Sequence, residues 1–117
     1  MNIKIVKKES PITLTEIQEI AKEFYVLMLK GAVDIEKEII ALGGEYHLDA
    51  NNLLTEHDCE QKDIWGFNLL LTKPKDEWLE YTSLINIRPN VGNRSMFIED
   101  ENIRAKIKKI INQAVTI

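Results

Sequence analysis

Glu45, His47 and Asp49 stand at alternate positions in the stretch GGEYHLDA, residues 43–50. On an extended chain, alternate side chains share a face, so this spacing predicts a carboxylate, an imidazole and a second carboxylate in one row. Such a row can hold a divalent metal if its heads converge. It can instead carry out proton transfer if burial moves a pKa toward neutrality, with His47 as base and Glu45 or Asp49 orienting it. Convergence is the difficulty, because alternate strand residues are about 7 Å apart at the backbone and would need help from a neighbour such as Glu38. No metal is therefore expected, and the plainer alternative is a solvated or locally hydrogen-bonded face.

A second cluster lies in NIRPNVGNRS, residues 86–95, where Arg88 and Arg94 flank a glycine-bearing loop with Asn86, Asn90, Asn93 and Ser95. Two guanidinium forks and several amides can grip a carboxylate or phosphate through paired hydrogen bonds. The plainer alternative has Arg88 pairing with an acid across a sheet and the asparagines satisfying turn backbone. Nothing resembles a Walker-type phosphate loop, and no cofactor is expected. His57 and Cys59 add an imidazole and a thiol, but a histidine two residues from a cysteine has no special claim to activate it.

The elements that would position these groups follow from periodicity. NIKIV, residues 2–6, reads as a short strand. Thr13 and Glu16 form a capping box, and apolar residues recur from Leu14 through Ile17, Ile20, Ala21, Phe24 and Leu27 to Met28, predicting a helix that Gly31 ends. VDIEKEIIALGGEYHLD then reads as two strands joined by a tight turn at Gly43-Gly44, with Ile39, Ala41, Tyr46 and Leu48 facing a core. Glu38, Ile40, Leu42, Glu45, His47 and Asp49 would share the other face. After a helical turn capped by Asp49, DIWGFNLLLTK alternates with Trp65, Phe67, Leu69 and Leu71 inward. WLEYTSLINIRP continues as a strand up to Pro89. Ile103, Ile107, Ile110, Ile111 and Ala114 mark a last amphipathic helix whose charges match the helix dipole.

These elements predict one α+β domain over residues 1–117. Its expected form is an antiparallel meander of about four strands, with the N-terminal and C-terminal amphipathic helices packed on one face and the other face free. The net charge of −4, from 15 basic and 19 acidic residues, argues against nucleic acid or anionic membrane as partner. The acids concentrate at residues 34–63, and the bases gather toward both ends of the chain, so the ends could dock on the centre. No apolar run is long enough to cross a bilayer, the start lacks the apolar core of a signal peptide, and the one cysteine cannot form an internal disulfide; the expected compartment is the cytoplasm.

The segments VDIEK (33–37), GEYHLDA (44–50), IWGFN (64–68) and SLINIRPNVGNRS (83–95) together resemble a family of small prokaryotic proteins of unknown function. The resemblance implies that Asp34, Glu36, Glu45, His47, Asp49, Asn68, Asn86, Arg88, Asn93 and Arg94 belong to the family's pattern, and it implies no activity, cofactor or substrate. At 58–59 that pattern has Gly-Ser where this chain has Asp-Cys, which lowers Cys59 as a functional residue.

The expectation is thus a cytoplasmic binding or interaction protein. Its polar sheet face would combine Glu45, His47, Asn68, Asn86 and Arg88 with Asp49, Asn93 and Arg94. It would receive a small polar or anionic ligand, a peptide, or a second copy of the chain drawn by exposed Ile40, Leu42 and Leu70. The alternative is a hydrolytic or proton-transfer enzyme with His47 as base and Arg88 and Arg94 holding an anionic substrate.

Overall fold

The computed structural model describes residues 1–116 and contains one five-stranded antiparallel sheet, so the fold is α+β. In spatial order the strands are β1 (Ile3–Val6), β4 (Ile39–Gly43), β3 (Met28–Asp34), β5 (Ile64–Leu70) and β6 (Leu79–Glu80). A separate two-stranded parallel ladder joins β2 (Ile12–Thr13) to β7 (Val115–Thr116). It ties the start of α1 (Leu14–Ala21) to the end of α3 (Glu101–Ala114). Among the described residues no helix is long and apolar enough to cross a membrane.

Both terminal helices pack on one face of the sheet, as their stripes predict. Ile17, Ile20, Ile107, Ile110 and Ile111 meet Val6, Leu29, Val33, Ile40, Leu42, Phe67 and Leu69 in the main core. The opposite face is not free. It is covered by α2 (His47–Glu56), whose Ala50 and Leu54 lie against Ala32, Ala41 and Ile64. Alanines on helix and sheet let the two backbones approach closely, which explains why this second core is thin. One ion pair, Lys106 with Glu36 at 3.7 Å, links the basic last helix to the acidic middle of the chain.

Three elements differ from the sequence reading. The capping box at Thr13 and Glu16 is present, but α1 stops at Ala21 and the chain enters β3 at Met28. Val26 there adopts a left-handed backbone, φ 41°, and Phe24 and Leu27 are exposed. Pairing of Met28 to Asp34 with β5 overrides a helical period that ran on by coincidence. Gly31 is a strand glycine: a Cβ there would lie 2.6 Å from the Phe67 ring and 2.9 Å from Leu42.

The hairpin is also displaced. It joins β3 to β4 through residues 35–38, where Asp34 Oδ1 accepts the N–H groups of Glu36 and Lys37 at 2.8 and 2.9 Å and Glu38 takes φ 57°. Gly43 and Gly44 do have positive φ, but they turn β4 into α2. Ile40 and Leu42 consequently face the main core and are fully buried, so they present no surface to a second copy.

The strand expected to run to Pro89 ends at Glu80. Residues 81–98 fold instead as a strap over the α2 side of the sheet, closed by Ser83 N–H to Met96 O at 3.1 Å and Ile98 N–H to Tyr81 O at 3.0 Å. The strap rests on Gly66, where a Cβ would lie 2.6 Å from both Cβ and Oγ of Ser83. Gly66→Ala must therefore lift the strap. Chemical denaturation should show a loss of about 1–3 kcal/mol, and an unchanged midpoint would mean that the strap is not seated on this residue.

Candidate functional site

Between α2 and the strap lies an open cleft of about 620 Å³. Tyr46, His47 and Leu48 form one wall, and Leu84, Ile85 and Met96 form the other. Met28, Lys30 and Asn68 reach it from the sheet. The position of His47 follows from the turn before it. Asp49 Oδ2 accepts the N–H groups of Glu45 at 3.1 Å and Tyr46 at 3.0 Å, which fixes the first turn of α2 and sets His47 at its first position. Tyr25 Oη donates to Glu45 O at 2.6 Å and holds the same turn from the other side.

The imidazole lies over β5. Its Nε2 is 3.0 Å from Phe67 O and 2.7 Å from Asn68 Oδ1. The Asn68 amide is oriented by its other end, since Nδ2 donates to Glu80 Oε1 at 2.8 Å and to Thr82 O at 3.2 Å. Both neighbours of Nε2 are therefore acceptors, so Nε2 carries the proton and donates. Nδ1 keeps its lone pair. It has no hydrogen-bond partner among the described residues and is not shut away from solvent. Burial is the main cause that lowers the pKa of His47 below the usual 6.5; the Lys30 ammonium adds to this, while the bonds to Asn68 and Phe67 and the Glu80 charge oppose it. The neutral imidazole of this cleft-lining residue thus has an unpartnered acceptor, which is also a base.

The carboxylates of the original row do not join it. Asp49 is turned back on its own backbone, and Glu45 lies in the turn ahead of α2. The strand row predicted for residues 45–49 is replaced by a helix start, because two successive positive-φ glycines reverse the chain there. Among the described residues no group of three His, Cys, Asp or Glu side chains could hold a metal ion.

The loop cluster divides in the same way. Asn86 is fully buried; its Oδ1 accepts Gly66 N–H at 2.8 Å and its Nδ2 donates to Gly66 O at 3.0 Å and Met96 O at 3.1 Å. Asn93 is buried and donates to Asn86 O, Ser95 O and Phe97 O at 2.7, 3.0 and 3.1 Å, while its Oδ1 accepts Glu99 N–H at 2.8 Å. Arg88 reaches the start of β5, donating to Lys62 O at 3.2 Å and to Ile64 O. Its guanidinium lies 4.6 Å from the centre of the Trp65 ring, which belongs to the main core. Arg94 is exposed. Of the residues singled out by sequence, the structure brings together His47 and Asn68; it does not bring Arg88 or Arg94 to them, and Asn86 and Asn93 build the wall behind.

The sequence pattern does not single out Lys30, Leu84 or Met96. A signal was present in one of them, since Lys30 interrupts the apolar run VLMLKGAV. Cys59 is buried away from the cleft beside Asp34, and burial first, then Asp34, pushes its thiol up to about 11. His57 is exposed, with Nδ1 2.9 Å from Leu53 O at the end of α2.

The chain belongs to the family described as protein of unknown function (DUF5674). The match spans residues 4–114, from the first strand through the last helix, and so includes both walls of the cleft. No curated protein and no solved structure matches the chain.

A nitrogen NMR titration checks the imidazole directly: His47 should show the Nε2–H tautomer and titrate below 6.5. Asn68→Asp would face Nε2–H with a carboxylate and raise that pKa. Because the unfolded chain binds this proton more tightly than the folded one, the stability contributed by neutral His47 is complete above about pH 6.5. It declines as the pH falls from there to the folded value. His47→Gln should remove that part of the pH dependence of the melting temperature; if the wild-type and variant profiles run parallel, His47 is not held neutral by burial.

Proposed function

We propose that the protein binds a small ligand in the cleft between α2 and the strap, with an apolar body against the walls and a hydrogen-bond donor meeting Nδ1 of His47. The observation that carries this reading is the lone, accessible Nδ1 of an imidazole locked through its other nitrogen, set in a cleft whose walls are largely apolar. Its volume of about 620 Å³ is of the size that holds small molecules. Leu84 is 71% exposed and Tyr46 61%, apolar surface that a ligand would cover. We take the cytoplasm as its compartment, since its one cysteine is a free thiol.

A second reading, proton transfer or hydrolysis, draws on the same nitrogen: an imidazole fixed at Nε2 and free at Nδ1 has the form of a general base. Hydrolysis of 4-nitrophenyl esters tests it, with activity rising through the pKa of His47 and lost in His47→Gln.

Binding is tested with N-phenyl-1-naphthylamine, an apolar dye with one N–H that fluoresces out of water. Its fluorescence should rise saturably with wild-type protein. Leu84→Glu should weaken binding at least tenfold, whereas Val91→Glu, also an exposed apolar residue but outside the cleft, should leave it unchanged. Equal binding by all three proteins would remove the cleft as the site.

A further inference from the structure

The ammonium of Lys30 sits where the cleft meets the sheet, and its surroundings are unusual for a lysine. Lys30 is half-buried in β3, directly opposite Asn68 in the pairing with β5. Its Nζ lies 4.7 Å from the centre of the Tyr25 ring and 5.7 Å from that of Tyr46, so two aromatic faces hold it in place. It has no carboxylate partner among the described residues, although the chain carries 19 acids. The acid nearest in the sheet, Glu80, lies beyond Asn68 and is engaged by the Asn68 amide. The cleft therefore holds, in the same lining as His47, an oriented ammonium that has no ion-pair partner among the described residues and whose charge is felt at the His47 ring.

We infer that the ligand is an apolar carboxylate carrying an N–H or O–H donor next to its acid group, of the kind found in N-acyl amino acids. This inference rests on the cleft-binding reading and adds the sign of the ligand's charge and the residue that reads it. A single anionic group answers Lys30, which has no ion-pair partner among the described residues. The adjacent donor answers the lone pair on Nδ1, which a carboxylate oxygen alone would repel. The acyl chain answers Leu48, Leu84 and Met96. Arg88, the cation that sequence spacing favours for this role, is engaged with Lys62 O and Ile64 O and packs over Trp65.

The test compares N-decanoylglycine with its methyl ester, which keeps the chain and the N–H and loses only the charge. Each is titrated against bound N-phenyl-1-naphthylamine at pH 7.5. Wild-type protein should release the dye to the acid at a concentration at least tenfold lower than to the ester. Lys30→Gln should erase that preference, and Lys30→Arg should keep most of it. Equal displacement by acid and ester in the wild type, or displacement by neither, overturns the inference while leaving the cleft reading in place. If the dye itself does not bind, the cleft reading fails and the inference falls with it.

Discussion

The site depends on how the outer edge of β5 is satisfied. On its inner side β5 pairs with β3 along its whole length, but on its outer side β6 supplies only two residues. The even-numbered residues of β5 point their backbone groups outward, and each finds a different partner. Leu70 N–H bonds Trp78 O at 2.7 Å, Asn68 pairs with Glu80, Gly66 is met on both its N–H and its C=O by the Asn86 side chain, and Ile64 O accepts from Arg88. The ladder thus continues past the end of β6 with side chains in place of a strand. A primary amide can do this because its one oxygen and its NH₂ group reproduce the acceptor and donor of a peptide unit. The edge is closed, the strap is held down, and the chain between the pinned residues is free to bow out as a wall of the cleft.

That substitution explains what was legible in the sequence and what was not. The capping box at Thr13 and Glu16, the stripe from Ile103 to Ala114 and the alternation of Trp65, Phe67 and Leu69 are local signals, and all three elements are present. The element boundaries within residues 22–49 were not legible, although Ile39–Gly43 is a strand as its composition suggests; Phe24, Leu27 and Met28 continue a helical period by chance. What decides for a strand is remote: Gly31 must fit between Leu42 and Phe67. Gly43-Gly44 announces a reversal of direction, but a strand-to-helix corner and a hairpin demand the same positive φ. The segment from Tyr81 to Pro89 has the composition of a strand, and only the engagement of Asn86 and Arg88 side chains with β5 shows why it leaves the edge.

At the site, residue types were more legible than geometry. His47 and Asn68 do meet, but as a helix N-terminus over a strand, which reverses the consequence for charge. On a strand face His47 would have been flanked by carboxylates that favour its protonated form. On α2 it sits over neutral acceptors with Lys30 nearby, and burial favours the neutral ring. Glu80 acts at one remove by fixing which end of the Asn68 amide faces the ring. The asparagines and Arg88 of the loop cluster are turned inward to backbone partners. Their spacing, suggestive of an anion grip, serves the strap instead.

Amide hydrogen exchange at Gly66 tests the side-chain ladder most directly, because that N–H has no strand partner on the outer edge and donates to the buried Oδ1 of Asn86. If the Asn86 amide stands in for a strand, Gly66 exchanges as slowly as Phe67 and Leu69 beside it. Exchange at Gly66 at the rate of an open loop, with Phe67 still protected, would contradict the account and leave the wall of the cleft without its anchor.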